Sequence, residues 1–152
     1  NDTLWLFYEE DDAPYVCEFN QKTDKARSKK PIEQSIWAVL QPYFYNIVGV
    51  MWAESSADKE VYWFLMNDGN YLVYDLYSKA FEIRPLKNSP WAELEQYKYR
   101  MMTAVTNDYP TFDRYFYVFL DDNQYLKYEQ SSKKITGPHA VSDVSWPGLI
   151  KD

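Results

Sequence analysis

The sequence predicts an all-β repeat fold of three small sheets, on three observations. Aromatic anchors recur at about 54 residues: Phe19, Trp37 and Leu40 stand 18 and 3 apart, Tyr74, Trp91 and Leu94 stand 17 and 3 apart, and Tyr128, Trp146 and Leu149 stand 18 and 3 apart. Each set is preceded by two aromatic-rich runs, residues 5–8 (WLFY) with 16–19 (VCEF), 62–65 (YWFL) with 71–74 (YLVY), and 117–120 (YVFL) with 125–128 (YLKY). A proline, Pro31, Pro85 or Pro138, stands six to eight residues before each Trp. Self-similarity at a fixed period of this length is the mark of stacked or radial repeat architectures.

In chain order, residues 4–8 and 15–19 read as a hairpin, because both are aromatic and β-branched in character and the segment between them, 9–14, is acidic and ends in Pro14. Residues 21–30 are polar and basic, with Lys22, Lys25, Arg27, Lys29 and Lys30, and read as a solvated loop. Residues 32–40 read as a short helical turn that carries Trp37 to the gap between one sheet and the next. The apolar run 46–53 then forms a strand, followed by 61–65 and 71–74 across the hairpin signal Asn67-Asp68-Gly69. The third unit repeats that order with 101–106, 114–120 and 124–128, separated by turns at 107–110 and 121–123. The first unit has no counterpart of the leading apolar strand, so the expected strand numbers are two, three and three.

A chain of 152 residues fits one domain with its own core, here divided into repeats at about 3–43, 44–98 and 99–150. Aromatic residues make up 19% of the chain, so much of the core volume must come from rings, many with polar tips. The formal net charge of −7 repels a phosphate backbone, which sets nucleic acid aside as a partner. No run of about 18 apolar residues is present, so no membrane association is expected. The first residues, NDTLWLFYEEDD, carry no signal-peptide pattern, although Asn1-Asp2-Thr3 fits an N-glycosylation site. The expected location is extracellular, and if the protein is secreted its signal has already been removed. The single Cys17 reads as a small apolar side chain on a strand.

The offsets, and above all Ile135-Thr136-Gly137-Pro138 followed by Ser145-Trp146-Pro147-Gly148-Leu149, resemble the hemopexin-type repeat. Tyr74-Asp75 and Tyr128-Glu129 resemble that family's Tyr-Asp-like strand ending. The resemblance implies one β-blade per repeat, hence a small or incomplete β-propeller. Two departures stand out. The family usually closes four blades, often with a disulfide, whereas this chain has three units and one cysteine. Its inner strands often carry an Asp-Ala-Ala-like triplet beside an ion-holding channel, where this chain has Gly49-Val50-Met51 and Thr103-Ala104-Val105. The competing architecture is an eight-stranded up-and-down barrel in the lipocalin style, which would avoid an open strand edge.

Chemistry is sparse in the sequence. One histidine, His139, and one cysteine give no zinc-type spacing, and no phosphate loop or nucleophile elbow is present. The carboxylate clusters at 9–12 and 121–122 fall in hairpin turns and read as solvated turn residues. No enzyme activity, metal or cofactor is expected. The expected function is a secreted, non-enzymatic domain that binds another protein, one with a basic surface, through acidic and aromatic-rich loops. The competing reading is a carrier of a small hydrophobic or cationic ligand such as heme or an amine, with Trp52, Trp63 or Tyr117 as walls. The expected state is a monomer or a homodimer whose second copy completes the first unit.

Overall fold

The structure, a computed structural model, describes residues 3–106, 114–142 and 145. The described residues form three antiparallel sheets. Sheet 1 contains β1 (Thr3–Glu10), β2 (Ala13–Asn20) and β3 (Lys25–Pro31), in that order. Sheet 2 contains β4 (Ile47–Ser55), β5 (Glu60–Met66), β6 (Asn70–Asp75) and β7 (Phe81–Pro85). Sheet 3 contains β8 (Met101–Thr106), β9 (Tyr115–Leu120), β10 (Gln124–Glu129) and β11 (Lys134–Ala140). The chain divides into two compact units, Asn1–Tyr45 with sheet 1 and Asn46–Asp152 with sheets 2 and 3.

The all-β class and the three-sheet plan agree with the sequence reading; four details correct it. None of the sheets closes into a barrel, so the up-and-down barrel does not form. The strands number three, four and four, because each sheet has an additional outer strand, β3, β7 or β11. The basic segment assigned to a solvated loop is largely β3, whose sequence KARSKKP has no apolar alternation to betray a strand. It is held by its ladder with β2, with Lys29 opposite Cys17 and Pro31 opposite Tyr15. The fourth correction is one of register. Phe7 pairs with Val16 as Leu65 pairs with Tyr71, so Trp5 corresponds to Trp63 and not to Tyr62. A shift of one residue exchanges the two faces of a strand, so the correction decides which rings point where.

Sheets 2 and 3 repeat one another to the individual hydrogen bond at an offset of 54. Asn67 N–H donates to Asn46 C=O as Asp121 N–H does to Arg100 C=O, and Lys79 N–H donates to Asp75 C=O as Lys133 N–H does to Glu129 C=O. Even the irregularities match: β4 carries an extra residue between Ile47 and Gly49, and β8 carries one between Met101 and Thr103. Lys79 and Lys133 close the outer turns at φ 66° and 58°, with Asp24 at 57° in sheet 1.

Between the outer strand and the next sheet the chain runs through short 3₁₀ turns that place the indoles. In the first repeat Ser35 Oγ donates to Ile32 C=O at 2.7 Å and accepts from Trp37 N–H at 3.0 Å. In the second, Ser89 Oγ donates to Leu86 C=O at 2.8 Å and accepts from Trp91 N–H at 3.0 Å. Ile32, Trp37 and Leu40, and likewise Leu86, Trp91 and Leu94, are buried. Within the first unit Trp37 meets Trp5 and Phe7 edge-on, at 5.7 and 5.6 Å between centroids.

Trp91 lies between two sheets. It meets Trp63 (5.3 Å) and Tyr71 (5.6 Å) of sheet 2 edge-on, stacks on Phe116 (5.2 Å, 15°) of sheet 3, and meets Tyr128 (6.2 Å) of sheet 3 edge-on. The inner strands approach still more closely. A Cβ built on Gly49 would stand 2.5 Å from both Cβ and the carbonyl oxygen of Ala104, so only glycine fits. Of the sequence anchors, Tyr74 and Tyr128 are also buried and Phe19 is half-buried. Trp146 and Leu149 lie outside the described residues.

Two substitutions test this packing by chemical denaturation. Trp91→Ala should lower the unfolding free energy by about 3–5 kcal/mol, because both sheets lose their shared ring. Ser89→Ala, which removes the donor to Leu86 and the acceptor for Trp91, should cost about 1 kcal/mol. A Trp91→Ala loss no larger than that of the partly exposed Trp52→Ala would contradict a bridging role for the indole.

Candidate interaction surface

The acidic turns are occupied by the fold. Asp11 and Asp12 hold φ of 53° and 61°, the pair of left-handed values that a two-residue hairpin turn requires and that Asp tolerates well. Glu10 is bonded to Lys29 at 3.1 Å, and the Asp12 carbonyl accepts from Tyr45 Oη at 3.3 Å. Asp122 and Asn123 take left-handed φ in the corresponding turn of sheet 3, while Asp121 receives Arg100 Nε at 2.6 Å.

The Asp of the Tyr-Asp pair serves as a turn cap. Asp75 Oδ1 accepts from the N–H groups of Tyr77 (3.1 Å) and Glu60 (3.2 Å), and Oδ2 accepts from Ser78 Oγ (3.0 Å). Asn20 does the same in sheet 1, accepting from Lys22 and Thr23 N–H at 2.9 and 3.1 Å. These donors, led by Glu60 N–H, hold the Asp75 carboxyl below its ordinary range.

The three aromatic residues singled out from the sequence are not gathered into one site. Trp63 packs against Trp91 and Tyr71 and forms part of the core wall. Trp52 is 38% exposed and carries the Arg114 guanidinium 5.0 Å from its ring. Register sets Trp52 opposite Tyr62 and Trp63 opposite Met51, on alternate sides of sheet 2. Tyr117 is half-buried in a row across sheet 3, 6.2 Å from Tyr115 and from Tyr125, which in turn lies 5.1 Å from His139. Burial is the main reason its hydroxyl is pushed above its ordinary pKa. His139 is engaged locally, its Nε2 3.0 Å from Thr136 Oγ1, and Cys17 is half-buried on β2 as a free thiol.

A shallow depression of about 350 Å³ lies beside this row, lined by Tyr115, Lys127, Glu129, Ser132, Lys134 and Thr136. Its charged rim includes both signs, and Lys127 Nζ sits 4.1 Å from the Tyr115 ring centroid. Among the described residues no group of three or more His, Cys, Asp or Glu side chains converges to hold a metal. No described helix is long and apolar enough to cross a membrane.

The surface that sequence reasoning missed is the outer edge of sheet 2. Tyr77, Phe81 and Ile83 are 57%, 51% and 38% exposed, where the equivalent outer strands of sheets 1 and 3 carry smaller or polar groups over much of their length. Phe81 and Ile83 pair with Tyr74 and Leu72, so both lie on one face of β7, with Glu82 between them in sequence. The available signal was the alternation Phe81-x-Ile83, which is strand-like. Two strands away on β5, Glu60 accepts from Tyr62 Oη at 3.2 Å; burial first, and then this carboxylate, raise the Tyr62 pKa. Phe81 and Ile83 thus form an apolar strip on one face of β7, while Glu82 points to the other face and is bonded to Arg84 at 2.9 Å. No protein-family model matches the chain, and no curated protein is significantly similar to it.

The Asp75 cap yields a pH prediction. A carboxyl whose pKa is lower folded than unfolded stabilises the fold above its unfolded value, and that contribution is lost as pH falls through the folded value. Asp75→Asn should therefore flatten the fall in thermal midpoint between about pH 5 and pH 3, where the unfolded carboxyl takes up its proton first. An unchanged slope in that window would show that the cap does not contribute.

Proposed function

We propose that this chain is a secreted, non-enzymatic binding module of hemopexin-like repeats whose target is another protein. The observation that carries the reading is the outer edge of sheet 2, where Tyr77, Phe81 and Ile83 stand exposed. Large rings with little side-chain entropy to lose make effective anchors when buried by a partner. The net charge of −7 favours a partner with lysines or arginines around an apolar centre, since opposite charges across an interface speed encounter and set orientation. Backbone groups along the free side of β7 extend the same surface as far as Pro85, which has no N–H to donate.

The carrier reading draws on the depression beside Tyr115, but its shallow floor and mixed-charge rim suit a polar surface contact better than an enclosed hydrophobic ligand. Fluorescence titration with heme, amines and fatty acids should leave the tryptophan emission unchanged.

The decisive test is native mass spectrometry after incubation in extracellular fluid, on the natural sequence and on Phe81→Glu. The natural sequence should gain a protein-sized mass, and Phe81→Glu, with an unaltered thermal midpoint, should weaken that complex by about a hundredfold, the scale expected for an interface anchor. Equal binding by the two proteins would remove β7 from the interface, and an added mass of a few hundred daltons would favour the carrier.

A further inference from the structure

The same repeat position has different surroundings in the three sheets. Tyr74 and Tyr128 are 2% and 3% exposed, and the residues beside them on that face, Phe64 and Leu72 in sheet 2 and Phe116, Val118 and Leu126 in sheet 3, are buried as well. In sheet 1 the corresponding face carries Leu4, Leu6 and Tyr8 on β1 with Phe19, Cys17 and Tyr15 opposite them on β2. Here Leu4 is 37% and Leu6 43% exposed, and Tyr8, Tyr15, Cys17 and Phe19 are only half-buried.

The ladder has the same gap. β5 and β9 each have an inner neighbour, β4 and β8, whereas β1 is the end strand of its sheet among the described residues. Two of the outer edges are protected in the usual ways: β3 by four basic residues, β11 by Gly137-Pro138. β1 has no such protection over LWLFY, its charges standing only at Glu9 and Glu10. An apolar strand edge of this length is a template for another strand.

We infer that the chain forms a two-fold homodimer in which β1 pairs antiparallel with β1 of a second copy. The occupant is a second copy because β1 is complementary to itself. With Leu6 on the axis, Leu4 lies opposite Tyr8 and Trp5 opposite Phe7, so the like faces of the two sheets run on into each other. The same register sends Glu9 and Glu10 to opposite ends of the pair, whereas parallel pairing would set each carboxylate against its own copy. Leu4, Leu6 and Phe19 of both copies then form one apolar strip, and the isologous contact closes at two copies. This inference is independent of the protein-binding reading, which uses β7.

The test combines sedimentation with a cross-link. The natural sequence should sediment as a concentration-dependent dimer, and Leu6→Lys, which buries two ammonium groups on the axis, should raise the dissociation constant by about a hundredfold. Leu6 also pairs with Cys17 within the sheet, so the cross-link is made in a Cys17→Ser background. There Leu6→Cys should yield a covalent dimer on mild oxidation or with a short bis-maleimide, because directly opposed Cβ atoms lie about 4.5–5.5 Å apart. Phe81→Glu should leave dimerisation unchanged while removing partner binding, which separates the two readings. A monomer at all concentrations, a dimer that survives Leu6→Lys, or a ladder of higher oligomers would each overturn the inference.

Discussion

The contact on which the second unit depends is the Trp91 indole held between sheets 2 and 3. A small sheet has too little apolar area to be stable alone, and here one buried ring supplies a shared surface to β5, β6, β9 and β10 together. Its position is set from below by local chemistry. Ser89 bonds both to the turn that precedes Trp91 and to Trp91 itself, and Leu86 N–H is fastened to the Gly69 carbonyl in the hairpin turn of its own sheet. Val141 N–H is held by the Asn123 carbonyl in the same way. Each sheet therefore positions the connection that leaves it.

Much of this was legible in the sequence. Spacing alone located Trp37, Trp91, Leu40 and Leu94, because bulky anchors at a fixed period leave a trace that survives variation elsewhere. The leading strands β4 and β8 were legible as apolar runs, and so was the lack of a counterpart in the first unit. The outer strands were not. β3 is charged, β7 is exposed throughout and β11 contains Gly-Pro, so their pairing comes from ladder hydrogen bonds that composition does not record. The serine two residues before Trp37 and Trp91 was equally present in the sequence, and its significance lies in a hydrogen-bond pattern with no hydrophobic signature.

The surface was less legible than the core. An exposed aromatic and a buried one look alike in a sequence this rich in rings, and Trp63 and Trp52 illustrate the problem: one packs on Trp91, the other lies under Arg114 at 38% exposure. The acidic residues mislead in the opposite sense. Asp11, Asp12 and Asp122 are shaped by left-handed turns, Asp75 by its three donors, and Glu82 and Glu60 by bonds to Arg84, Ser55 and Tyr62. Function, on this reading, is carried by the places where the repeat is broken.

The contact between Gly49 and Ala104 acts on geometry as much as on stability. The middle strands of sheets 2 and 3 are separated by the width of an indole, while their inner strands meet with no side chain between them at Gly49. Two sheets so spaced make a wedge, thin at the inner strands and thick at the middle ones. One glycine at the thin end and one tryptophan at the thick end hold that angle, so a larger residue at position 49 would have to part the inner strands of sheets 2 and 3.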